Sequence, residues 1–220
     1  MAGKTALIAG ATGLIGKELL RILLDAKEYE KVTAIVRRSV EIEHPKLDER
    51  IVDFSQLKQS KKIFAADDVF CCLGTTIKKA KTKEAMWKID VEYPVEIARL
   101  ASSQGAEKFL LVSSMNADPD SSIFYPKMKG KLEEEIKQIP FEMTAIFRPS
   151  LLLGDRDEFR LGEKTAAAVV TKIPFLFKGP LKKFKAIEGK TVAKAMYKIA
   201  QTNNSGLTIY PSEQIHEIGR

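Results

Sequence analysis

Residues 5–16 read TALIAGATGLIG, and this stretch decides the fold. Its apolar start predicts a short buried strand at 5–9, and apolar residues at helical spacing after it predict a helix from Gly13 to about residue 26. Between strand and helix, Gly10 permits a tight turn, Gly13 lets the backbone approach a pyrophosphate, and Gly16 allows close packing of helix on strand. The stretch therefore predicts a dinucleotide-binding loop, with backbone N–H groups and a helix N-terminus facing the phosphates.

Beyond this loop, apolar runs of strand length alternate with helical patterns. The sequence predicts further strands at 32–36, 50–54, 67–73, 108–114, 141–147 and 207–210, and further helices at 84–103, 126–139, 163–171 and 190–200. Pro94 should kink or break the helix that contains it. Because the strands are continuously apolar, we expect an α/β fold with a Rossmann-like, doubly wound parallel sheet. No linker divides residues 1–220, which are predicted to form one domain whose part from about 151 includes a small substrate-side elaboration.

The composition is that of an ordinary globular protein, with 45% apolar and 30% charged residues among 220. It excludes disordered and collagen-like classes. Cys71 and Cys72 are the only cysteines, and together with His44 and His216 they form no zinc spacing, so we expect neither a disulfide scaffold nor a metal site. No run approaches the roughly 20 apolar residues of a membrane span, and we expect a cytoplasmic protein. The net charge of +7 allows an anionic partner without choosing one.

Two arginines at the end of the second predicted strand indicate which dinucleotide binds. An NAD site usually places Asp or Glu at this point, where the carboxylate bonds the ribose 2′-hydroxyl. Here the residues are Arg37 and Arg38. A guanidinium attracts the 2′-phosphate of NADP and does not replace that carboxylate. The sequence therefore predicts NADP(H) in preference to NAD(H).

A tyrosine and a lysine four residues apart, Tyr125 and Lys129, are candidates for the chemistry. At that spacing two helical side chains share a face, and the ammonium favours the phenolate form of the tyrosine. Ser113 and Ser114 end the fifth strand, where a hydroxyl can hold a carbonyl oxygen. Pro126 biases Tyr125 away from helical angles, which places this tyrosine at the helix entrance. Together these groups can exchange a proton with a carbonyl or alcohol.

Lysines cluster after the fourth strand, at Lys78, Lys79, Lys81 and Lys83, and again at Lys182, Lys183 and Lys185. They fit an anionic substrate site, a nucleic-acid surface or a solvated loop, and we favour the solvated loop. Binding of single-stranded nucleic acid would require aromatic residues interleaved with the lysines, and few are present.

Seven segments of the chain carry a resemblance to a known family. They are GATGLIG at 10–16, VRR at 36–38, VDF at 52–54, CCLGTT at 71–76, LLVSSMNAD at 110–118, YPKMKG at 125–130 and FRPSLLLGDR at 147–156. In this order they resemble the atypical short-chain dehydrogenases/reductases, and more closely the Tat-interactive-protein oxidoreductase family and its bacterial relatives. Two departures from the ordinary members are CCLGTT in place of an Asn-rich motif, and the proline directly after Tyr125.

The resemblance implies a Rossmann fold with NADPH lying across the strand ends. It implies Tyr125 as the proton donor or acceptor, Lys129 as its partner and ribose contact, and Ser114 as the preferred catalytic serine, with Ser113 as the alternate. The implied cofactor contacts are Gly10, Thr12, Gly13, Leu14, Ile15 and Gly16 in the loop, Arg37 and Arg38 at the 2′-phosphate, Asp53 and Phe54 near the adenine, Cys72, Leu73 and Gly74 after the fourth strand, and Pro149, Ser150, Leu151 and Leu152 near the nicotinamide.

Three functional hypotheses follow from these features. The leading one is an NADP(H)-dependent oxidoreductase that transfers hydride between nicotinamide and a small carbonyl or alcohol substrate. The second is a non-catalytic NADP(H)-binding redox sensor that acts through a protein partner and does not need Tyr125. The third, less favoured, is a nucleic-acid binder that uses the lysine clusters. The sequence leaves open whether the chain forms a homodimer.

Overall fold

A seven-stranded parallel sheet is the centre of the computed structural model, which describes residues 3–153 and 185–220. Its strands are β1 (Lys4–Ala9), β2 (Tyr29–Val36), β3 (Leu47–Ile51), β4 (Asp68–Cys71), β5 (Lys108–Val112), β6 (Met143–Arg148) and β9 (Gly206–Pro211). They lie in the order β3-β2-β1-β4-β5-β6-β9, with every neighbouring pair parallel. Two short strands, β7 (Leu152–Leu153) and β8 (Ile187–Glu188), pair separately. The predicted Rossmann-like α/β fold is confirmed.

Helices connect the strands. They are α1 (Leu14–Asp25), α2 (Ile77–Ala80), α3 (Lys83–Trp87), α4 (Tyr93–Ser103), α5 (Phe124–Lys137), α6 (Gly189–Ala200) and α7 (Ser212–Ile218). A π-helical turn, Lys88–Glu92, joins α3 to α4, and 3₁₀ turns span Phe54–Phe64. The predicted helix at 163–171 lies outside the described residues. No helix in the described ranges is long and apolar enough to span a membrane.

Each face of the sheet carries its own apolar core. On one face α1 packs beside α6, with Leu19 and Met196 fully buried. On the other face α4, α5 and the 3₁₀ turns cover the sheet, with Ile97 and Leu132 fully buried. Because both faces are covered, strands such as β1 and β5 are apolar at successive positions, as a doubly wound parallel sheet requires.

The strand order creates a crevice at one edge of the sheet. The chain runs from β1 outward through β2 to β3, and then returns to place β4 on the other side of β1. Connections leaving the carboxyl ends of β1 and β4 therefore diverge to opposite sides, which opens a crevice where open α/β sheets bind their ligands.

Three differences between the structure and the prediction have a clear local cause. Strand β3 lies at 47–51 instead of 50–54, because Asp53 already caps the next turn through a hydrogen bond from the Ser55 amide. The interruption expected near Pro94 is the π turn just before it, since proline has no N–H to continue the helical ladder. Helix α5 begins at Phe124, so Tyr125 lies within its first turn, where Pro126 is tolerated.

The described C-terminal residues join the main sheet. Strand β9 pairs with β6, and α6 packs on α1 through the close contact of Gly189 with the backbone of Leu14. A methyl group on Gly189 would approach Leu14 O to 2.8 Å. Of the predicted substrate-side part, residues 154–184, with Lys182 and Lys183, lie outside the described residues.

Candidate functional site

A cleft of about 840 Å³ opens at the carboxyl edge of the sheet, at the switch in strand order. Segments that follow four strands and helix α5 form its walls: 12–15, 72–79, 112–116, 123–126 and 149–152, together with Lys83, Met86, Asp90 and Lys129. The cleft brings together the predicted residues Thr12, Gly13, Leu14, Ile15, Cys72, Leu73, Gly74, Ser113, Ser114, Tyr125, Lys129, Pro149, Ser150, Leu151 and Leu152. Gly10, Gly16, Arg37, Arg38, Asp53 and Phe54 are not among its lining residues.

The glycine loop lies against the end of β4. Gly10 has φ +86°, a left-handed conformation that favours glycine, and a Cβ there would lie 2.6 Å from Cys72 O. A Cβ on Gly16 would lie 2.1 Å from Gly10 O, so the first turn of α1 packs directly on the loop. Gly10 and Gly16 therefore contact backbone within the fold, against β4 and the loop itself, and they do not line the cleft.

The N-terminal end of α1 is suited to an anion. Gly13 is the N-cap and has no side chain to cap the helix, and the first turn contains no acidic residue. Leu14 and Ile15, in that turn, line the cleft. Because first-turn N–H groups have no partner within the helix and the helix end is positive, a pyrophosphate would satisfy both. The loop therefore fits the phosphates of a dinucleotide.

The predicted adenine-end residues follow β2 and β3. Arg37 and Arg38 are exposed and come directly after β2, whose residue Ile35 pairs with the last residue of β1. They consequently lie at the same sheet edge as the glycine loop. Asp53 is exposed and its carboxylate accepts hydrogen bonds from the Ser55 amide and hydroxyl, both at 2.8 Å, which lower its pKa.

Phe54 is buried beneath this edge. Its ring lies 5.4 Å from that of Tyr93, centroid to centroid, at a tilt of 52°. The ring is thus part of the core between the 3₁₀ turns and α4, a supporting position under the predicted adenine site.

Helix α5 brings Tyr125 and Lys129 to the cleft, one turn apart. Lys129 is 3% exposed, and its Nζ lies 2.8 Å from Oδ1 of Asp90, which is fully buried in the π turn. The other oxygen of Asp90 accepts a hydrogen bond from the Thr75 amide at 2.8 Å. The lysine is therefore held by a buried ion pair that also reaches the loop after β4.

The two candidate serines differ in their surroundings. Ser113 is buried and its hydroxyl donates to Glu133 Oε1 at 2.6 Å. The same carboxylate accepts from Arg148 Nε at 2.9 Å and from a terminal nitrogen of Arg148 at 2.6 Å. Ser113 thus belongs to a buried charged cluster, whereas Ser114 is half-buried and lines the cleft.

The two cysteines at the end of β4 are free thiols. Burial raises the pKa of Cys71 to about 11, and burial also raises that of Cys72. Cys71 is a core residue and Cys72 is half-buried at the cleft, and both are free of disulfide bonds. Within residues 3–153 and 185–220 no three His, Cys, Asp or Glu side chains are grouped to hold a metal ion.

The segment after β6 forms another wall of the cleft. Pro149 O accepts a hydrogen bond from the Met115 amide at 3.1 Å, which ties this wall to the segment after β5. The Ser150 hydroxyl donates to Lys185 O and accepts from Ser212 Oγ at 3.0 Å. The Ser150 amide also donates to Ser212 Oγ at 3.1 Å, so the side chain and the amide of Ser150 both fix the wall.

Sequence reasoning missed three charged groups at this site. Asp90 lies in a segment predicted as ordinary helix, and Glu133 and Arg148 flank the site from α5 and β6. One signal in the sequence could have identified Asp90. It is an acidic residue four positions before Pro94, where the helix is interrupted. Pairing of Glu133 with Arg148 depends on tertiary structure and has no local signal.

Comparison with known proteins identifies the family. The model of the NAD dependent epimerase/dehydratase family matches residues 6–214. Protein HTATIP2 of Rattus norvegicus is 37% identical over 178 residues, which are 79% of this chain and 73% of that protein. Protein FMP52, mitochondrial, of Saccharomyces cerevisiae is 35% identical over 175 residues, 76% of this chain and 75% of that protein. The resemblance to the Tat-interactive-protein branch is thereby confirmed.

Solved structures confirm the fold. The enzyme WbmH of Bordetella bronchiseptica, in complex with NAD+, has a TM-score of 0.72 at 14% identity, covering 96% of this chain and 76% of that one. The UDP-N-acetylglucosamine 4-epimerase of Methanobrevibacter ruminantium has a TM-score of 0.68 at 17% identity, covering 96% and 77%. With its glycine loop, strand order and cleft in this arrangement, the chain belongs to the NAD dependent epimerase/dehydratase family, in the atypical short-chain dehydrogenase/reductase branch.

Proposed function

We propose that this protein is an NADP(H)-dependent oxidoreductase that reduces a carbonyl or oxidises an alcohol. One observation carries the proposal: a single cleft is lined by the glycine loop and by Tyr125, Lys129 and Ser114. A dinucleotide site and a proton-exchanging group in one cleft are what hydride transfer to a carbonyl needs.

Charge and position support NADP(H). The uncapped, acid-free start of α1 fits the pyrophosphate. Arg37 and Arg38 are exposed after β2, where a 2′-phosphate would gain charge-assisted hydrogen bonds from a guanidinium. The nicotinamide, when bound, supplies or accepts the hydride.

The side chains of the cleft would handle the proton and orient the substrate. Tyr125 donates a proton to a carbonyl oxygen, or accepts one from an alcohol. Lys129 lies one turn away on the same helix, and Asp90 keeps that lysine in place. Ser114 is the serine that holds the oxygen, since the hydroxyl of Ser113 is bonded to Glu133.

Substitution of Tyr125 by Phe tests the catalytic assignment. We expect Tyr125→Phe to bind NADPH as the wild type does, and to lose turnover by about a hundredfold or more, because the proton donor is removed. Calorimetry measures the binding, and NADPH oxidation against a panel of aldehydes and ketones measures the turnover.

A matched control is Tyr93→Phe, which changes a tyrosine packed on Phe54 outside the lining of the cleft. Unchanged turnover in Tyr125→Phe would remove this residue from the mechanism. Tight NADPH binding with no turnover of any carbonyl by the wild type would instead favour the non-catalytic redox sensor.

We propose the cytoplasm as the place of action, because the free thiols of Cys71 and Cys72 fit a reducing compartment. The relative from Saccharomyces cerevisiae carries the word mitochondrial in its name. Fractionation of cells that express the tagged full chain would distinguish the two locations.

A further inference from the structure

Three exposed lysines after β4, in the segment predicted as a solvated loop, line the cleft. Lys78, Lys79 and Lys83 are lining residues, whereas Lys81 is not. The two short helices that carry them are capped: Thr76 Oγ1 accepts from the Lys79 amide at 3.3 Å, and the Thr82 hydroxyl caps α3 in the same way. The lysines are therefore presented on ordered turns.

Cationic side chains outnumber carboxylates among the described lining residues of the cleft. Among the described lining residues, Asp90 is the one carboxylate, and it pairs with Lys129 at 2.8 Å. Both partners of that pair are buried, so their charges offset each other. Lys79 and Lys83 are exposed at this wall, and such cationic side chains concentrate an anionic ligand.

The mouth of the same cleft is apolar. Ile77 in α2 is 43% exposed and Ile123, just before α5, is 66% exposed, and both line the cleft. They are two of the four large apolar side chains that are exposed in the described residues. Beside them, the Nζ of Lys83 lies 5.4 Å from the centre of the Phe124 ring. A ligand that covered these isoleucines would remove apolar area from water.

We propose that the substrate is an amphipathic anion. Its apolar chain would lie between Ile77 and Ile123, and its carboxylate or phosphate would be bound by Lys79 and Lys83. The inference rests on the proposed function, which supplies the carbonyl or alcohol that reacts at Tyr125. The phosphates of the cofactor do not need these lysines, since the glycine loop follows β1 and the arginines follow β2.

Calorimetry on the NADP+-loaded full chain tests this assignment. The ligands are octanoate and octyl phosphate as amphipathic anions, octan-1-ol as the neutral chain, and butanoate as the short anion. We expect octanoate or octyl phosphate to bind at least about tenfold tighter than octan-1-ol or butanoate. Lys79→Gln and Lys83→Gln should each weaken that binding by about tenfold and leave NADP+ binding unchanged.

Lys81→Gln is the matched control, because this lysine belongs to the same cluster and does not line the cleft. Equal binding of octanoate and octan-1-ol, or equal weakening by all three substitutions, would overturn the inference. A loss of NADP+ affinity in Lys79→Gln and Lys83→Gln would assign the lysines to the cofactor and overturn it as well. If the wild type binds no NADP+, the proposed function fails, and titration of octanoate into the protein alone then decides the inference.

Discussion

The carboxylate of Asp90 ties the lysine of the cleft to the loop after β4. One oxygen pairs with Lys129 and the other accepts from the Thr75 amide, and neither Asp90 nor Lys129 has appreciable contact with solvent. A buried cation that loses a partner is strongly destabilised, so Asp90 helps to fix the position of Lys129. If Lys129 contacts the cofactor ribose, the effect of Asp90 should be visible in cofactor binding.

We expect Asp90→Asn to weaken NADPH binding by about tenfold, because Lys129 loses its counter-ion and leaves its position. The variant should also lower the free energy of unfolding by about 3 kcal/mol. Calorimetry and urea unfolding measure the two quantities. In a Lys129→Met background, Asp90→Asn should have little further effect on NADPH binding, since the partner is already absent.

Asp68→Asn provides the control for loss of a buried carboxylate. Asp68 is also fully buried, accepts a hydrogen bond from Tyr29 and lies 3.6 Å from Lys4, but at the amino edge of the sheet, away from the cleft. It should change stability and leave NADPH affinity at the wild-type value. Equal loss of NADPH affinity in the two variants would show that Asp90 has no specific role.

The loop between β1 and α1 is the element on which the cleft depends. Gly10→Ala should lower the free energy of unfolding by about 3 kcal/mol or more and abolish NADPH binding. The alanine would adopt a strained left-handed φ, and its methyl group would meet the Cys72 carbonyl at 2.6 Å. Urea unfolding followed by circular dichroism gives the first quantity, and calorimetry the second.

A second glycine separates the effect of a strained φ from the effect of a steric clash. Gly105 has the same φ, +86°, but a Cβ there would meet nothing within 4 Å. The free energy of unfolding of Gly105→Ala should therefore fall only by the cost of the strained φ, about 1 kcal/mol. This variant should bind NADPH normally. Equal destabilisation by the two alanines would mean that the contact with β4 does not constrain the glycine loop.

Elements with strong local patterns were predictable from the sequence, and those set by tertiary contacts were not. The parallel sheet and the glycine loop were predicted from the apolar runs of β1 and β5 and from the periodicity of α1. Edge strand β3, which reads LDERI, has no apolar pattern, and the prediction placed it three residues late. The short capped helix α2 contains too few residues for a periodic signal.

The site also divides into residues with a local sequence signal and contacts set by the tertiary structure. The glycine loop, Tyr125 and Lys129 were found because their spacing along the chain carries the signal. The pairing of Lys129 with Asp90, and of Ser113 with Glu133, joins segments that only the folded sheet brings together. The family resemblance preferred Ser114 and kept Ser113 as the alternate, and the hydrogen bond of Ser113 to Glu133 adds a structural reason for that preference.

Stability of the whole molecule should fall in mild acid through His216. Burial lowers the pKa of this imidazole below its usual 6.5, and the charge of Lys185 adds to the effect. The fold therefore favours the neutral form, so this contribution is fully present above pH 6.5 and is lost as the pH falls through 6.5 towards the folded pKa.

Urea unfolding of the wild type and His216→Gln at several pH values measures this contribution. Below pH 6.5 the wild type should lose stability more steeply than the variant, by at most about 1.4 kcal/mol per pH unit, the limit for one proton. Parallel curves for the two proteins would contradict the assignment to His216.

Titration of the purified protein with NADPH and, separately, with NADH addresses the cleft and its cofactor together. The glycine loop and the two arginines predict that NADPH binds at least about tenfold tighter than NADH, and that replacing Arg37 and Arg38 by Ala removes the difference. Equal affinity for the two dinucleotides, or a preference for NADH, would contradict the choice of NADP(H). Binding of neither would contradict the assignment of the cleft as a dinucleotide site.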